Sequence, residues 1–124
     1  MMTTPDIQAL LSQPPASFVW SRSADGSRTI GTCPGCAVDL WPDRVEAAAV
    51  FAPDNPDLSA RNATLFTLIL AALRPDWVTA PDWLTTQMWM AAKARGFYEG
   101  PNYSRRVTFT FSRRESRATL KVRL

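Results

Sequence analysis

Residues 106–124 read RVTFTFSRRESRATLKVRL, and they carry the clearest secondary-structure pattern of the chain. Apolar and polar side chains alternate along residues 107–112, and they alternate again along residues 117–124. Alternation with a period of two is typical of a strand with one apolar and one polar face. The sequence therefore predicts a β-hairpin, with one strand at 106–113 and a second that begins at 117, whose apolar face packs on helices.

A helix is predicted immediately before this hairpin, from residue 81 to residue 95, and Gly96 ends it. The end of the helix and the hairpin together are rich in arginine and lysine, which are the side chains that bind phosphate oxygens. We expect the following residues to contact the phosphates of a nucleic acid: Lys93, Arg95, Arg105, Arg106, Arg113, Arg114, Arg117, Lys121 and Arg123.

The formal net charge of the chain is only +3, but the charge is unevenly distributed. Residues 1–92 hold five basic and nine acidic side chains, whereas residues 93–124 hold nine basic and two acidic ones. Such an asymmetry indicates a polyanionic partner, most often nucleic acid. Two alternatives are a solvated basic face and a basic segment that contacts the acidic part of the same chain.

The length of 124 residues and the ordinary apolar content predict one α+β domain. Its first part, residues 1–53, is expected to contain a short helix, a hairpin at 17–32, the cysteine motif and a short helix at 45–51. Its second part, 54–124, is expected to contain a buried central helix whose second half is apolar nearly all round, then the second helix and the basic hairpin. The core is predicted to be formed by the central helix through Leu65, Phe66, Ile69, Leu70 and Leu73.

The motif Cys33-Pro34-Gly35-Cys36 carries recognisable site chemistry. Two thiolates at this spacing can hold one side of a tetrahedral zinc ion, and the motif resembles one knuckle of the zinc-ribbon and rubredoxin type. The chain has no histidine and no second such motif, so a closed site would need a second copy of the chain. Three alternatives stay open: a zinc ion shared between two chains through Cys33 and Cys36, a plain turn without metal, and a redox pair.

A second resemblance covers residues 77–113, which look like the latter part of a winged-helix DNA-binding domain. The order of a helix ending at Leu73, a short strand at 77–79, the phrase Lys93-Ala94-Arg95-Gly96-Phe97-Tyr98 and a hairpin is similar to that family. The resemblance implies a winged-helix-like fold in which the helix and the hairpin contact DNA.

An enzyme is not expected. No glycine-rich phosphate loop occurs, and the absence of histidine excludes Ser-His and Cys-His catalysis. The longest apolar run, residues 68–73, is too short to span a bilayer, and the first residues lack the pattern of a signal peptide, so a cytoplasmic location is expected.

The sequence therefore predicts a small protein that binds nucleic acid, or that belongs to a larger nucleoprotein complex, through its arginine-rich hairpin. The alternative is a protein-binding adaptor or inhibitor without nucleic-acid contact. It would use a tryptophan-rich surface that includes Trp83 and Trp89, and a strand edge at Leu124. Either kind of protein could also form a homodimer.

Overall fold

The computed structural model describes residues 4–14, 16–101 and 106–124. In these residues, three helices accompany one seven-stranded antiparallel sheet with the strand order β1-β2-β3-β4-β7-β6-β5. The elements in chain order are α1 (Thr4–Leu11), β1 (Val19–Arg22), β2 (Thr29–Cys33), β3 (Cys36–Trp41), β4 (Arg44–Val50), α2 (Pro56–Leu73), α3 (Ala80–Lys93), β5 (Phe97–Glu99), β6 (Val107–Ser112) and β7 (Arg117–Arg123). The expectation of a small α+β domain is confirmed.

Strand β7 lies in the middle of this sheet. It pairs with β6 through the predicted hairpin, and with β4 on its other side, where Val122 faces Val45 and Leu120 faces Ala47. The parts 1–53 and 54–124 therefore share one sheet and one core. The expected free strand edge at Leu124 is wrong, because the backbone N–H of Leu124 donates to the carbonyl of Asp43 and the edges of the sheet are β1 and β5.

One face of the sheet is covered by the helices. Alternate residues of the neighbouring strands β4, β7 and β6 point to this face and are buried, as a period of two requires. They pack against helix α2 to form the core, whose strand residues include Val38, Leu40, Val45, Ala47, Val107, Phe109, Leu120 and Val122.

Helix α2 supplies more buried residues to the core than either of the other two helices. Pro56 occupies its first turn, and the side chain of Asn55 accepts a hydrogen bond from the backbone N–H of Leu58 at 3.3 Å, which satisfies one of the free donors at the helix start. The five predicted core residues of this helix are all buried. The helix nevertheless has one buried side, where a helix buried on all sides was favoured over a one-faced one, because Leu68 on its outer side is 40% exposed.

The expected short helix at 45–51 is wrong, and its residues form strand β4. Alanine favours helix, but here Ala47 and Ala49 are buried against the helices while the strand is paired on both sides with β3 and β7. Tertiary packing thus overrides local propensity. Strand β3, which was not predicted, joins β4 through a two-residue turn at Pro42-Asp43.

The expected strand at 77–79 is also wrong. These residues form a turn, in which the N–H of Ala80 donates to the carbonyl of Trp77 at 3.0 Å. The indole N–H of Trp77 donates to the hydroxyl of Thr79 at 3.1 Å, and helix α3 begins directly afterwards. The predicted second helix is confirmed within two residues at each end.

The N-terminal hairpin is confirmed as β1 and β2. Its tight turn contains Gly26 with φ of 72°, and the carboxylate of Asp25 accepts hydrogen bonds from Ser27 N–H at 3.0 Å and from the hydroxyls of Ser23 and Ser27 at 2.7 Å. These bonds, the backbone one first, lower the pKa of Asp25. None of the described helices has both the length and the apolar character that a bilayer crossing requires.

Candidate nucleic-acid interface

The face of the sheet opposite the helices carries a row of basic side chains. On β7, Arg117, Lys121 and Arg123 point to this open face and are exposed, because they alternate with the buried residues of the strand. Arg117 and Arg123 lie six residues apart, a distance of about 20 Å along an extended strand. The central strand of the sheet therefore presents a basic row on the side away from the core.

A second group on the same face combines charges of both signs around Trp41. The guanidinium carbon of Arg44 lies 3.9 Å from the centroid of the Trp41 ring, and that of Arg28 lies 5.4 Å from it. Arg28 pairs with Asp39 at 3.5 Å, and Arg44 pairs with Glu46 at 3.0 Å. This part of the face is therefore close to neutral, and it adjoins the basic row where Arg44 stands beside Arg123.

At the β6–β7 turn, the side chain of Arg113 forms hydrogen bonds with the end of helix α3. Its Nε donates to the carbonyl of Ala94 at 2.8 Å, and its Nη2 donates to the carbonyl of Ala92 at 2.6 Å. These are carbonyls at the C-terminal end of α3, which otherwise lack partners and carry partial negative charge. Arg113 therefore holds the turn against the helix, while its neighbour Arg114 is exposed without such a contact.

Lys93 and Arg95 lie at the same end of the molecule, and both are exposed. The ammonium nitrogen of Lys93 lies 3.4 Å from the centroid of the Trp89 ring, which is a cation–π contact. Trp89 is 59% exposed, whereas Trp83 is half-buried against Trp77 with ring centroids 5.2 Å apart. Of the two tryptophans predicted to form a partner surface, Trp89 is therefore the more solvent-exposed.

A third basic group lies at the other end of the hairpin. The backbone N–H of Arg123 donates to the carbonyl of Arg106 at 2.7 Å, and the guanidinium of Arg74 donates to the carbonyl of Arg123. Burial and then the positive charge of Arg106 lower the pKa of Arg74. Arg105 lies outside the described residues.

The predicted phosphate contacts therefore form three groups along the hairpin, at the turn, on the open face and at the far end. Among those that the structure describes, Lys121 is the one with an ion pair, to Glu46 at 3.7 Å. Sequence reasoning missed Trp41, Arg28 and Arg44 because it assigned no strand to β3 and a helix to β4. The polar Asp39 between the apolar Val38 and Leu40 was the short signal that could have indicated β3.

The contact of Arg113 predicts unequal effects of two neighbouring substitutions. Arg113→Ala removes two charge-assisted hydrogen bonds and should lower the free energy of unfolding by about 1 kcal/mol. Arg114→Ala is the matched control and should change it by less than about 0.5 kcal/mol, because isolated exposed charges contribute little. Urea denaturation of both variants measures the difference, and equal midpoints would contradict the role assigned to Arg113.

The cysteine motif forms the turn of the β2–β3 hairpin. Cys33 and Cys36 face each other across the strands, and Pro34-Gly35 makes the two-residue turn, with Gly35 at φ 75°. A φ of this sign favours glycine at position 35, and a Cβ there would also push against a methyl group of the Leu58 side chain, 2.8 Å away. A hairpin turn differs from the helix N-terminus that the redox alternative requires.

Burial raises the pKa of the Cys36 thiol from an ordinary value of 9.0 to about 12, and the neighbouring Cys33 adds to this shift. No group of three or more His, Cys, Asp or Glu positioned to hold a metal occurs in the described part of the chain. A zinc ion shared between two chains stays a prediction, and it would have to ionise a thiol whose surroundings oppose ionisation.

The raised pKa of Cys36 predicts selective labelling. In native protein at pH 8, a thiol reagent should modify Cys33 and leave Cys36 unmodified, and unfolding should expose both. Mass spectrometry of wild type beside Cys33→Ser and Cys36→Ser checks this, and equal labelling rates of the two native thiols would contradict it.

Because the pKa of Cys36 is higher in the folded chain, this thiol's contribution to stability is fully present below about pH 9 and is lost as the pH rises toward 12.

No protein-family model, no curated protein and no solved structure matches this chain.

Proposed function

We propose that the protein binds nucleic acid through phosphate contacts on the open face of its sheet, with β7 as the main contact strand. The observation that carries the proposal is the exposure of Arg117 and Arg123 on this face, where neither forms an ion pair with an acidic side chain of the described residues. Cations held on a rigid central strand, rather than on a mobile tail, keep a fixed spacing along a phosphate backbone.

The charge distribution supports this choice of partner. The ion pairs of the open face involve Arg28, Arg44 and Lys121, and within the described residues the two ends of the basic row, Arg117 and Arg123, form no ion pair. Arginine side chains at such positions replace the counterions condensed on the phosphates. These contacts account for affinity but carry no sequence information. The expected binding is therefore tolerant of sequence and sensitive to salt.

The contact surface of this proposal differs from that of a winged helix. In the winged-helix resemblance the hairpin would contact DNA as a wing beside a recognition helix. The proposed surface instead uses the flat face of a hairpin that is paired to β4, with Arg114 and Arg95 adding contacts at the turn. The winged-helix resemblance stays a prediction, and the proposal does not depend on it.

Charge reversal on β7 tests the proposal. At low salt, wild-type protein should shift labelled single-stranded and duplex oligonucleotides of mixed sequence, and Arg117→Glu/Arg123→Glu should abolish the shift. Arg22→Glu, an exposed charge reversal on the edge strand β1, is the control and should leave most of the binding intact. Loss of binding in the control, or full binding by the β7 variant, would contradict the assigned surface.

A second candidate, a protein-binding adaptor, is favoured by the exposed apolar side chains of α3. Trp89 and Met90 are both exposed, and large apolar groups of this kind often anchor protein partners. If wild-type protein binds no oligonucleotide at low salt, the result favours the protein-binding adaptor. Sedimentation velocity of wild type beside Trp89→Ala would then show whether the partner is a second copy of the chain.

A further inference from the structure

A cavity of about 510 Å³ opens between the two long helices and the β6–β7 turn. It lies on the helix-covered side of the sheet, away from the open face. The last turns of α3 contribute Met88, Ala91 and Ala92, and the first turn of α2 contributes Pro56 and Ser59. Its volume lies within the range of small-molecule binding sites.

The walls of the cavity are mainly apolar. Phe109 and Phe111 of β6 form its floor, and Phe51 closes one side. The hydroxyl of Ser59 also lines the cavity, but it is engaged, because it accepts a hydrogen bond from Ala52 N–H at 3.0 Å and donates to the carbonyl of Asn55 at 2.9 Å. A ligand that fills this space must therefore be largely apolar.

Arg113 is the one charged side chain among the described residues that line the cavity. Its Nε and Nη2 are bound to the carbonyls of Ala94 and Ala92, which fixes the plane of the guanidinium. Its Nη1 has no hydrogen-bond partner among the described residues. A fixed guanidinium with a free nitrogen at the rim of an apolar cavity is complementary to a carboxylate.

The start of α2 adds to this preference for negative charge. Pro56 and Ser59 belong to the first turn of an 18-residue helix, so the positive end of the helix dipole lies at the cavity wall. The negative end of α3 also borders the cavity, but the bonds from Arg113 compensate its carbonyls. Asp57, in the same first turn of α2, offsets part of this dipole, so the guanidinium of Arg113 is the main positive group at the rim.

We propose that this cavity binds a small apolar carboxylate with an acyl chain. The chain packs against Phe109 and Phe111, and the carboxylate accepts hydrogen bonds from Nη1 of Arg113. This site is separate from the basic row on the open face, and the inference does not rest on nucleic-acid binding.

Calorimetric titration with three probes of equal chain length tests the class of ligand. Octanoate, 1-octanol and octylamine share the apolar part and differ in the charge of the head group. Octanoate should bind at least about tenfold more tightly than octanol, which is the size expected of a charge-assisted hydrogen bond, and octylamine should bind most weakly. Equal affinities of octanoate and octanol, or no octanoate binding at millimolar concentration, would overturn the proposal.

Two pairs of variants test the location. Arg113→Gln should reduce the affinity for octanoate about tenfold and leave that for octanol unchanged, whereas Arg114→Gln should change neither. Ala92→Leu fills the mouth of the cavity from an exposed helix position and should weaken both ligands, whereas Ala60→Leu, exposed on α2 and outside the cavity, should have no effect. Arg113 also bonds to the end of α3, so Arg113→Gln can lower the stability of the fold. In that case the comparison of Ala92→Leu with Ala60→Leu decides where the ligand binds.

Other occupants give distinct results. An apolar tripeptide with a free terminal carboxylate that binds more tightly than octanoate would overturn the acyl-chain assignment in favour of a peptide. Self-association that is abolished by Ala92→Leu, without octanoate binding, would overturn it in favour of a second copy of the chain. Octanoate binding that neither Ala92→Leu nor Arg113→Gln weakens would place the ligand elsewhere.

Discussion

Replacing Phe66 with alanine is expected to lower the free energy of unfolding by about 3–5 kcal/mol. Phe66 is fully buried on the inner side of α2, with its ring centroid 5.6 Å from that of Phe51 and 6.4 Å from that of Phe109. Both neighbours meet it edge-on, so the substitution removes two aromatic contacts and leaves a cavity that the sheet is too rigid to close. Chemical denaturation monitored by tryptophan fluorescence measures the loss.

The matched control is Leu68→Ala on the outer side of the same helix. It removes an apolar side chain that is already partly in water, so it should cost less than about 1 kcal/mol. Similar losses for the two variants would mean that α2 does not present the side of Phe66 to the sheet.

Asn62→Ala is expected to lower the free energy of unfolding by about 2–3 kcal/mol, which is a large loss for the replacement of a polar residue. Asn62 is fully buried, and its Nδ2 donates to the carbonyl of Gly35 at 3.1 Å and to that of Val50 at 2.8 Å. These bonds connect α2 to the β2–β3 turn and to the end of β4. The substitution removes both donated bonds at a fully buried position and leaves the partly buried Val50 carbonyl without this donor, which adds to the cost of the lost bonds.

Thr64→Ala, two residues further along α2, controls for the loss of a polar side chain from this helix. Thr64 is exposed and bonds only to the carbonyl of Ala60, so its replacement should be close to neutral. If Asn62→Ala unfolds at the same denaturant concentration as Thr64→Ala, the buried connection has no energetic importance. Hydrogen exchange at Val50 and Gly35 would show the same loss locally.

The parts of the fold with a clean local signal could be predicted from the sequence. The hairpin β6–β7 alternates with a period of two, and the core face of α2 follows the helical period, so both elements and five of the core residues were found. The strand β4 could not be found in this way. Its sequence has three alanines between Arg44 and Phe51, and only the pairing with β3 and β7 makes it a strand.

The candidate surface was predictable in composition but not in arrangement. The nine basic residues stand out in the sequence, but the sequence alone does not show that β7 pairs with β4. That pairing puts Arg123 beside Arg44 and turns one side of the hairpin into the face of a sheet. The commitment of Arg113 to the end of α3 has no signal in the sequence either, because it depends on the distance between two elements.

The salt dependence of oligonucleotide binding shows directly whether Arg117 and Arg123 contact phosphates. Fluorescence anisotropy should show that log affinity falls linearly with log salt concentration, since each contacted phosphate releases condensed counterions. Arg117→Gln/Arg123→Gln should flatten the slope by about 1.8 on duplex DNA or about 1.4 on single strands, which corresponds to two lost contacts. Arg22→Gln should leave the slope unchanged. A wild-type protein that does not bind at low salt, or a slope that the double variant does not change, would contradict the account.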